Sequence, residues 1–236
     1  MSLPPKDGHF DPFAILTPRL ILIPTPVAIN VNSYRALYAS LHADVHFCSM
    51  AFGDHFPARN WDDAQTRTVI QTRDIDRSWN RHHVGDFAVG LRGPAHSDDT
   101  TTTGSILTDD AFTRFAGDNL EQIQWVGYAG VRDATTTSLP AADAADADAV
   151  GLPPWQEMVE LRYGISSQFW GGGIAKEAAE AVMGWAVDAR GVRRFIAETE
   201  RGNSRSGRLL QKMGFGLSGT DYWKEPSEVE WELVVQ

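Results

Sequence analysis

Residues 163–177 read YGISSQFWGGGIAKE: a strand-like apolar run stops at Gly171, Gly172 and Gly173, and these open directly into an amphipathic helix. Upstream, VELRYGIS (159–166) has strand composition. Downstream, Ile174, Ala178, Ala181, Val182, Trp185 and Ala189 keep one apolar helical face as far as Gly191. A strand, a glycine turn and a helix N-terminus make an anion cradle. The glycines let the backbone approach closely, and the unpaired N–H groups of the first helical turn lie at the positive end of the helix dipole. A glycine run alone reads as a plain turn. The flanking strand and helix favour the cradle, and the group it suits is a pyrophosphate.

Two commoner phosphate loops fail on these residues. A P-loop ends in Lys followed by Ser or Thr, whereas Ile174, Ala175 and Lys176 follow the last glycine here. The dinucleotide fingerprint spaces its glycines, and Gly171, Gly172 and Gly173 are contiguous.

The stretch resembles the acyl-CoA cradle of the GNAT N-acetyltransferases, whose pattern is Gln or Arg, two residues, Gly, one residue, then Gly or Ala. Gly173 and Ala175 take the last two places, and Trp170 stands where the Gln or Arg would be. That departure resembles the ribosomal-protein N-terminal acetyltransferase (RimJ/RimL-like) branch. A second block, RRFIAETERGNSRSGRLLQKMGF (193–215), resembles the same branch's strand, Asn-x-x-Ser, helix and Lys-x-Gly-Phe signature. LTPRLILIP (16–24) looks like its opening strand and WVGYAGV (125–131) like its central hairpin strand.

The resemblance implies an α/β (α+β) fold: a GNAT-type mixed, mostly antiparallel central sheet with helices on both faces. Residues 16–236 are expected to form a single domain behind an N-terminal extension, 1–15. Residues 92–122 and 133–154, the latter with the run AADAADADA, fall outside the pattern. Both read as insertions in surface loops, because lengthening a loop costs little free energy.

Composition agrees with one domain. A chain of 236 residues with 42% hydrophobic content can bury one substantial core, and no linker divides it. The single cysteine, Cys48, cannot build a disulfide framework, which favours a reducing compartment. With neither a signal-like opening nor a long apolar span, the expectation is a soluble, cytoplasmic protein without a membrane partner. The formal net charge of −10 argues against a nucleic-acid partner and mildly favours cationic ones, such as a protonated amine. Acidic loops that confer solubility explain the same charge.

The periodicity predicts strands near 18–24, 86–92, 123–132, 157–165 and 194–200, and a terminal hairpin of 215–223 with 228–235. It predicts helices near 31–42, 61–80, 174–189 and 204–213. A binding cleft belongs where the sheet's strands diverge, beside the strand that feeds the glycine turn.

Acetyl transfer to an amine requires a proton acceptor, a stabilised oxyanion and a proton donor for the departing thiolate. Glu160, on the strand before the cradle, is the expected base, since GNAT enzymes often carry a catalytic carboxylate there; pairing with Arg162 or Arg193 is its structural alternative. Asn203 precedes a helix carrying Leu209, Leu210 and Met213, an N-cap position. The resemblance adds that this Asn hydrogen-bonds the pantetheine arm and that Ser206 lies near the thioester sulfur as a donor. Many GNAT enzymes use a Tyr later in this helix, where Leu210 stands here.

Donor binding is expected of Ile165, Trp170, Gly171, Gly172, Gly173, Ile174, Ala175, Lys176, Asn203 and Ser206, with the backbone of Ile165 meeting the pantetheine amides. Phe52, Asp54, His55, Tyr222 and Trp223 are candidates to line an amine slot, or else they pack the rim. His42 and His46 are spaced i, i+4 but lack a completing ligand and read as surface residues, so no metal is expected.

The sequence thus predicts an acetyl-CoA-dependent N-acetyltransferase, monomeric or homodimeric, that acts on a small-molecule amine or a protein N-terminus. A non-catalytic acyl-CoA-binding module is the alternative.

Overall fold

The computed structural model describes residues 10–53, 57–93, 105–117, 120–134, 153–219 and 227–235. Among them, nine strands form one sheet: β1 Phe13–Leu16, β2 Leu20–Pro24, β3 Asp86–Leu91, β4 Ser105–Thr108, β5 Trp125–Asp133, β6 Val159–Ile165, β7 Arg194–Glu200, β8 Gly216–Leu217 and β9 Glu228–Val234. The spatial order is β4-β1-β2-β3-β5-β6-β7-β9-β8. Every pairing is antiparallel except β6 with β7. That one parallel pair requires a crossover, which a helix from Ile174 to Arg190 supplies.

Strand alternation assigns the two faces. Gly127, Ala129 and Val131 of β5 share a face with Ile165, Tyr163 and Leu161 of β6. The crossover helix covers this face and ends at Gly191, which takes the left-handed conformation a helix stop favours. Its Trp185 lies 5.5 Å from the Phe13 ring and 5.1 Å from that of Phe87. Such aromatic pairs contribute about 0.5–1.5 kcal/mol beyond their buried area. A second helix, Ser204–Lys212, packs on the same face with Leu210 buried and Gly207 against Trp231.

The opposite face carries Tyr128 of β5 beside Gly164 of β6. Helices α1 (Asn32–Ala43), α2 (Val45–Phe52) and α3 (Asp63–Ile70) follow the first strands, and α1 packs on β5 while α2 packs on β7. Asp44 caps α2 through the N–H groups of His46 and Phe47. Asp62 and Gln65 cap α3 reciprocally. A Cβ at Gly164 would lie 2.7 Å from the Tyr128 ring and 2.8 Å from Phe47, so α2 can approach the sheet only over a glycine. Further helices are α4 (Asp109–Ala116), α5 (the crossover, Ile174–Arg190) and α6 (Ser204–Lys212). No helix among the described residues is long and apolar enough to cross a membrane.

Four elements differ from the sequence expectations. Residues 13–15, assigned to an extension, belong to β1, which is flanked by β2 and β4. The segment 92–122, read as a loop insertion, contributes β4 and α4. Residues 45–52, between the helices expected over 31–42 and 61–80, form α2. The helix expected over 61–80 is α at its start and takes wider π-type turns from Gln71 to Trp79. Most of the insertion at 133–154 lies outside the described residues.

Candidate active site

The parallel pair of β6 and β7 is short. Its rungs are Val159 with Phe195 and Glu160 with Ile196, whereas β6 continues along β5 to Ile165 and β7 along β9 to Glu200. Each strand therefore stays paired on its outer side while the inner edges separate from Leu161 and Ala197 onward. Inner-edge backbone N–H and C=O groups left without a ladder are strong hydrogen-bonding groups. They suit a ligand that carries amides of its own.

The glycine turn lies at the open end of this V. Gly171 and Gly173 have φ of +80° and +79°, and all three glycines are exposed. Gly173 is the N-cap of α5, so the N–H groups of Ile174, Ala175 and Lys176 begin the helix without intrahelical partners. Ile174 is buried and anchors the turn, and Lys176 pairs with Glu180 at 2.5 Å.

Trp170 does more than stand in the place of a Gln or Arg. Its Nε1 donates to the carbonyl of Ile165 at 2.7 Å, so that carbonyl is already engaged. Its ring lies 5.6 Å from His46 of α2, and the Arg205 guanidinium of α6 stacks over it at 4.9 Å. The indole thus joins β6, α2 and α6 around the mouth of the V.

Asn203 caps α6 by accepting from the Ser206 N–H at 3.1 Å, and its Nδ2 donates to the Met50 carbonyl of α2 at 2.9 Å. The Tyr163 hydroxyl and Ser206 Oγ are 2.6 Å apart, linking β6 to α6 across the V. Burial pushes the Tyr163 phenol up to about 12, although the Ser206 hydrogen bond acts the other way. Leu210, at the α6 position where many GNAT enzymes carry a Tyr, is buried, and the phenol that faces Ser206 is that of Tyr163 on β6, on the same strand face as Ile165.

Glu160 lies on the opposite face of β6, where the strands part. Both its oxygens accept from Arg132, at 2.6 Å from Nε and 2.9 Å from Nη2. The bidentate pair thus engages both carboxylate oxygens of Glu160. Its partner is Arg132 rather than Arg162, which turns to Asp86 at 3.5 Å and over the Tyr128 ring, or Arg193, which pairs with Glu157.

Of the residues expected to line the amine slot, Phe52 stacks on His42 with ring centroids 5.8 Å apart. Asp54, His55, Tyr222 and Trp223 lie outside the described residues. His42 is no surface residue. It is 4% exposed among Tyr38, Phe47, Phe52, Trp61 and Tyr128, and burial lowers it to about 3, so it stays neutral. His46 turns away to Trp170. Cys48 is buried and burial raises its thiol, which disfavours the thiolate a nucleophile needs.

A glycine cradle at the end of a splayed parallel pair has the shape and hydrogen-bonding groups that suit an extended ligand with a phosphate end and an amide-bearing arm. The chain belongs to the acetyltransferase (GNAT) domain family, whose profile matches residues 30–216. Acetyl-CoA is the acyl donor of that family, and the cradle and V fit its pyrophosphate and pantetheine.

The fold is that of solved acetyltransferases. The Agrobacterium tumefaciens acetyltransferase is 17% identical, with 99% of this chain and 95% of that chain covered and a TM-score of 0.56. RimL, the ribosomal L7/L12 alpha-N-protein acetyltransferase, is 12% identical over 99% of this chain and 100% of its own, also at 0.56. The microcin C7 self-immunity acetyltransferase MccE, solved with acetyl-CoA and AMP, is 13% identical over 92% and 93% at 0.54. No curated protein matches the chain in sequence.

Proposed function

We propose that this protein is an N-acetyltransferase that passes the acetyl group of acetyl-CoA directly to an amine in a ternary complex. The observation that supports it best is the V between β6 and β7, whose shared ladder ends at Glu160 and Ile196 and which opens onto the glycine cradle. In this reading the N–H groups of Ile174, Ala175 and Lys176, with the turn of Gly171, Gly172 and Gly173, hold the pyrophosphate. The inner edge of β6 meets the pantetheine amides, and Trp170 closes the side of the channel.

Tyr163 and Ser206 form the donor pair for the departing thiolate. Glu160, fixed by Arg132, lies beside the point of attack and orients an approaching ammonium. The acceptor is a small-molecule amine or a protein N-terminus. The RimL fold likeness and the RimJ/RimL-like sequence blocks support the latter. The net charge of −10 raises the local concentration of either cation.

The test is twofold. Acetyl-CoA and free CoA should each raise Tm, because a ligand that binds only the folded state stabilises it by mass action, while NADH and ATP raise it far less. Thiol release should then accompany acetylation in a panel of small amines and short peptides. Equal stabilisation by NADH or ATP would refute the CoA cradle. CoA binding with no acetylated amine would favour the acyl-CoA-binding module.

A further inference from the structure

The last rung between β6 and β7 joins Glu160 to Ile196. Glu198, two residues further along β7, points to the same face as Glu160, and a continued ladder would set it beside Arg162. The strands have already parted there, and Arg162 is turned to Asp86 and Tyr128. Glu198 therefore lies on the inner side of the V with no strand partner from β6. Its neighbour on β9 is Glu230.

The Glu198 Oε1 is sealed from solvent and has no hydrogen-bond partner among the described residues. Helix α2 packs against β7 and is tied to the end of that strand by the Asn203–Met50 bond. A buried acceptor atom left unpaired is destabilising and calls for an explanation. The surrounding charges are Glu160 of β6, Arg132 of β5, and Glu228 and Glu230 of β9. Helix α2 adds His46, which faces Trp170, and Cys48, whose Sγ donates to the His42 carbonyl. Burial first, and then the Glu160 charge, push the Glu198 carboxyl well above the ordinary range; Arg132 acts against them and the two β9 glutamates add to them.

On the acetyl-transfer reading above, we propose that Glu198 is the catalytic base, the group that takes the proton of the acceptor ammonium inside the V. An N–H bond of the ammonium breaks and its proton passes to a Glu198 oxygen, then to solvent after the reaction. The freed lone pair forms the N–C bond to the thioester carbonyl carbon. As the C–S bond breaks, the Tyr163–Ser206 pair protonates the thiolate, and the second proton lost by nitrogen replenishes the pair. Glu160, already held by Arg132, makes Glu198 more basic without itself accepting the proton.

The test uses the full chain with Glu198→Gln, Glu198→Asp and Glu160→Gln, reading CoA affinity by calorimetry and turnover by thiol release across pH. Glu198→Gln should lower kcat by about a hundredfold or more and leave the CoA Kd within about twofold. Glu198→Asp should fold and restore part of the rate. Glu160→Gln should move the acidic limb of the kcat profile to lower pH, because it removes a like charge and frees Arg132 to favour the ionised Glu198. Wild-type turnover in Glu198→Gln, or an acidic limb unmoved by Glu160→Gln, overturns the proposal. So does CoA affinity lost in parallel by both Glu198 variants. These outcomes leave acetyl transfer standing, whereas a wild-type protein that acetylates no amine overturns both readings.

Discussion

Arg19 holds the cradle from outside: its Nε donates to Glu177 Oε2 at 2.6 Å and its Nη1 to the carbonyl of Gly172 at 2.7 Å. The Arg19 N–H and Thr17 Oγ1 donate to the other Glu177 oxygen, at 3.0 and 2.5 Å. The turn between β1 and β2 and the first turn of α5 are therefore one hydrogen-bonded unit. Thr17 and Arg19, which look like family spelling in LTPRLILIP, are there to position the glycine turn. Arg19→Ala should weaken CoA binding about tenfold, or ~1.4 kcal/mol, in a calorimetric titration. Unchanged affinity would mean that the turn keeps its shape without this guanidinium.

Glu177 gives the same unit a pH dependence. Burial raises its carboxyl, but the hydrogen bonds from Thr17 and Arg19 outweigh burial and hold it below the usual range. A depressed carboxylate contributes stability that is full above its unfolded pKa and lost as pH falls through the folded one. Denaturant unfolding of Glu177→Gln should show a deficit against wild type at pH 7 that shrinks in acid. A deficit independent of pH would assign the residue a packing role only.

Gly173 tests the cradle itself. At φ +79° a side chain is strained by about 1–3 kcal/mol, and a Cβ would also approach Arg19 Nη2 to 3.4 Å. Gly173→Val should lose most CoA affinity while still folding. Retained affinity in a folded variant would remove the pyrophosphate from this turn.

Much of this was legible in the sequence. The strand, glycine turn and helix at 163–189 needed only local periodicity, and the capping role of Asn203 only its place before an apolar helical face. Partners set by register across distant strands were not legible. Arg132 faces Glu160 because β5 and β6 pair at a particular offset, and no spacing within either strand reveals that. Glu198 was not legible for the same reason: its place beside the V depends on where the β6–β7 ladder stops. Strand β4 and helix α4 escaped notice because they lie in a segment judged by its absence from a pattern. His42 was misread because an i, i+4 pair of histidines says nothing about which tertiary surface each one meets.

Tyr163 and Ser206 should behave as one unit. Tyr163→Phe and Ser206→Ala are each expected to lower kcat with acetyl-CoA by about ten- to a hundredfold, the scale of a positioned proton donor. The double variant should be little worse than either single one, since residues within one hydrogen bond are not additive. An activated aryl thioester, whose leaving group needs no proton, should narrow both losses. Equal losses with both donors would place the pair outside the departure step.

His42 should make the fold acid-sensitive. It is buried and held near 3, so below its ordinary pKa of about 6.5 the unfolded chain binds a proton that the folded one refuses. Stability then falls as pH drops from about 6.5 towards 3, by at most about 1.4 kcal/mol per pH unit. His42→Phe, which suits the surrounding rings, should flatten that slope in urea titrations. An unchanged slope would assign the acid sensitivity to other groups.

Strand β1 is synthesised well before two of the partners that cover it. One edge waits for residues 105–108 to pair with it, and the Phe13 ring waits for Trp185. At an elongation rate of about 5–20 residues per second, that leaves an aliphatic segment unprotected for several seconds or more. Until then the aliphatic run FAIL, at residues 13–16, has one strand edge and one aromatic ring waiting for partners made about ninety or more residues later.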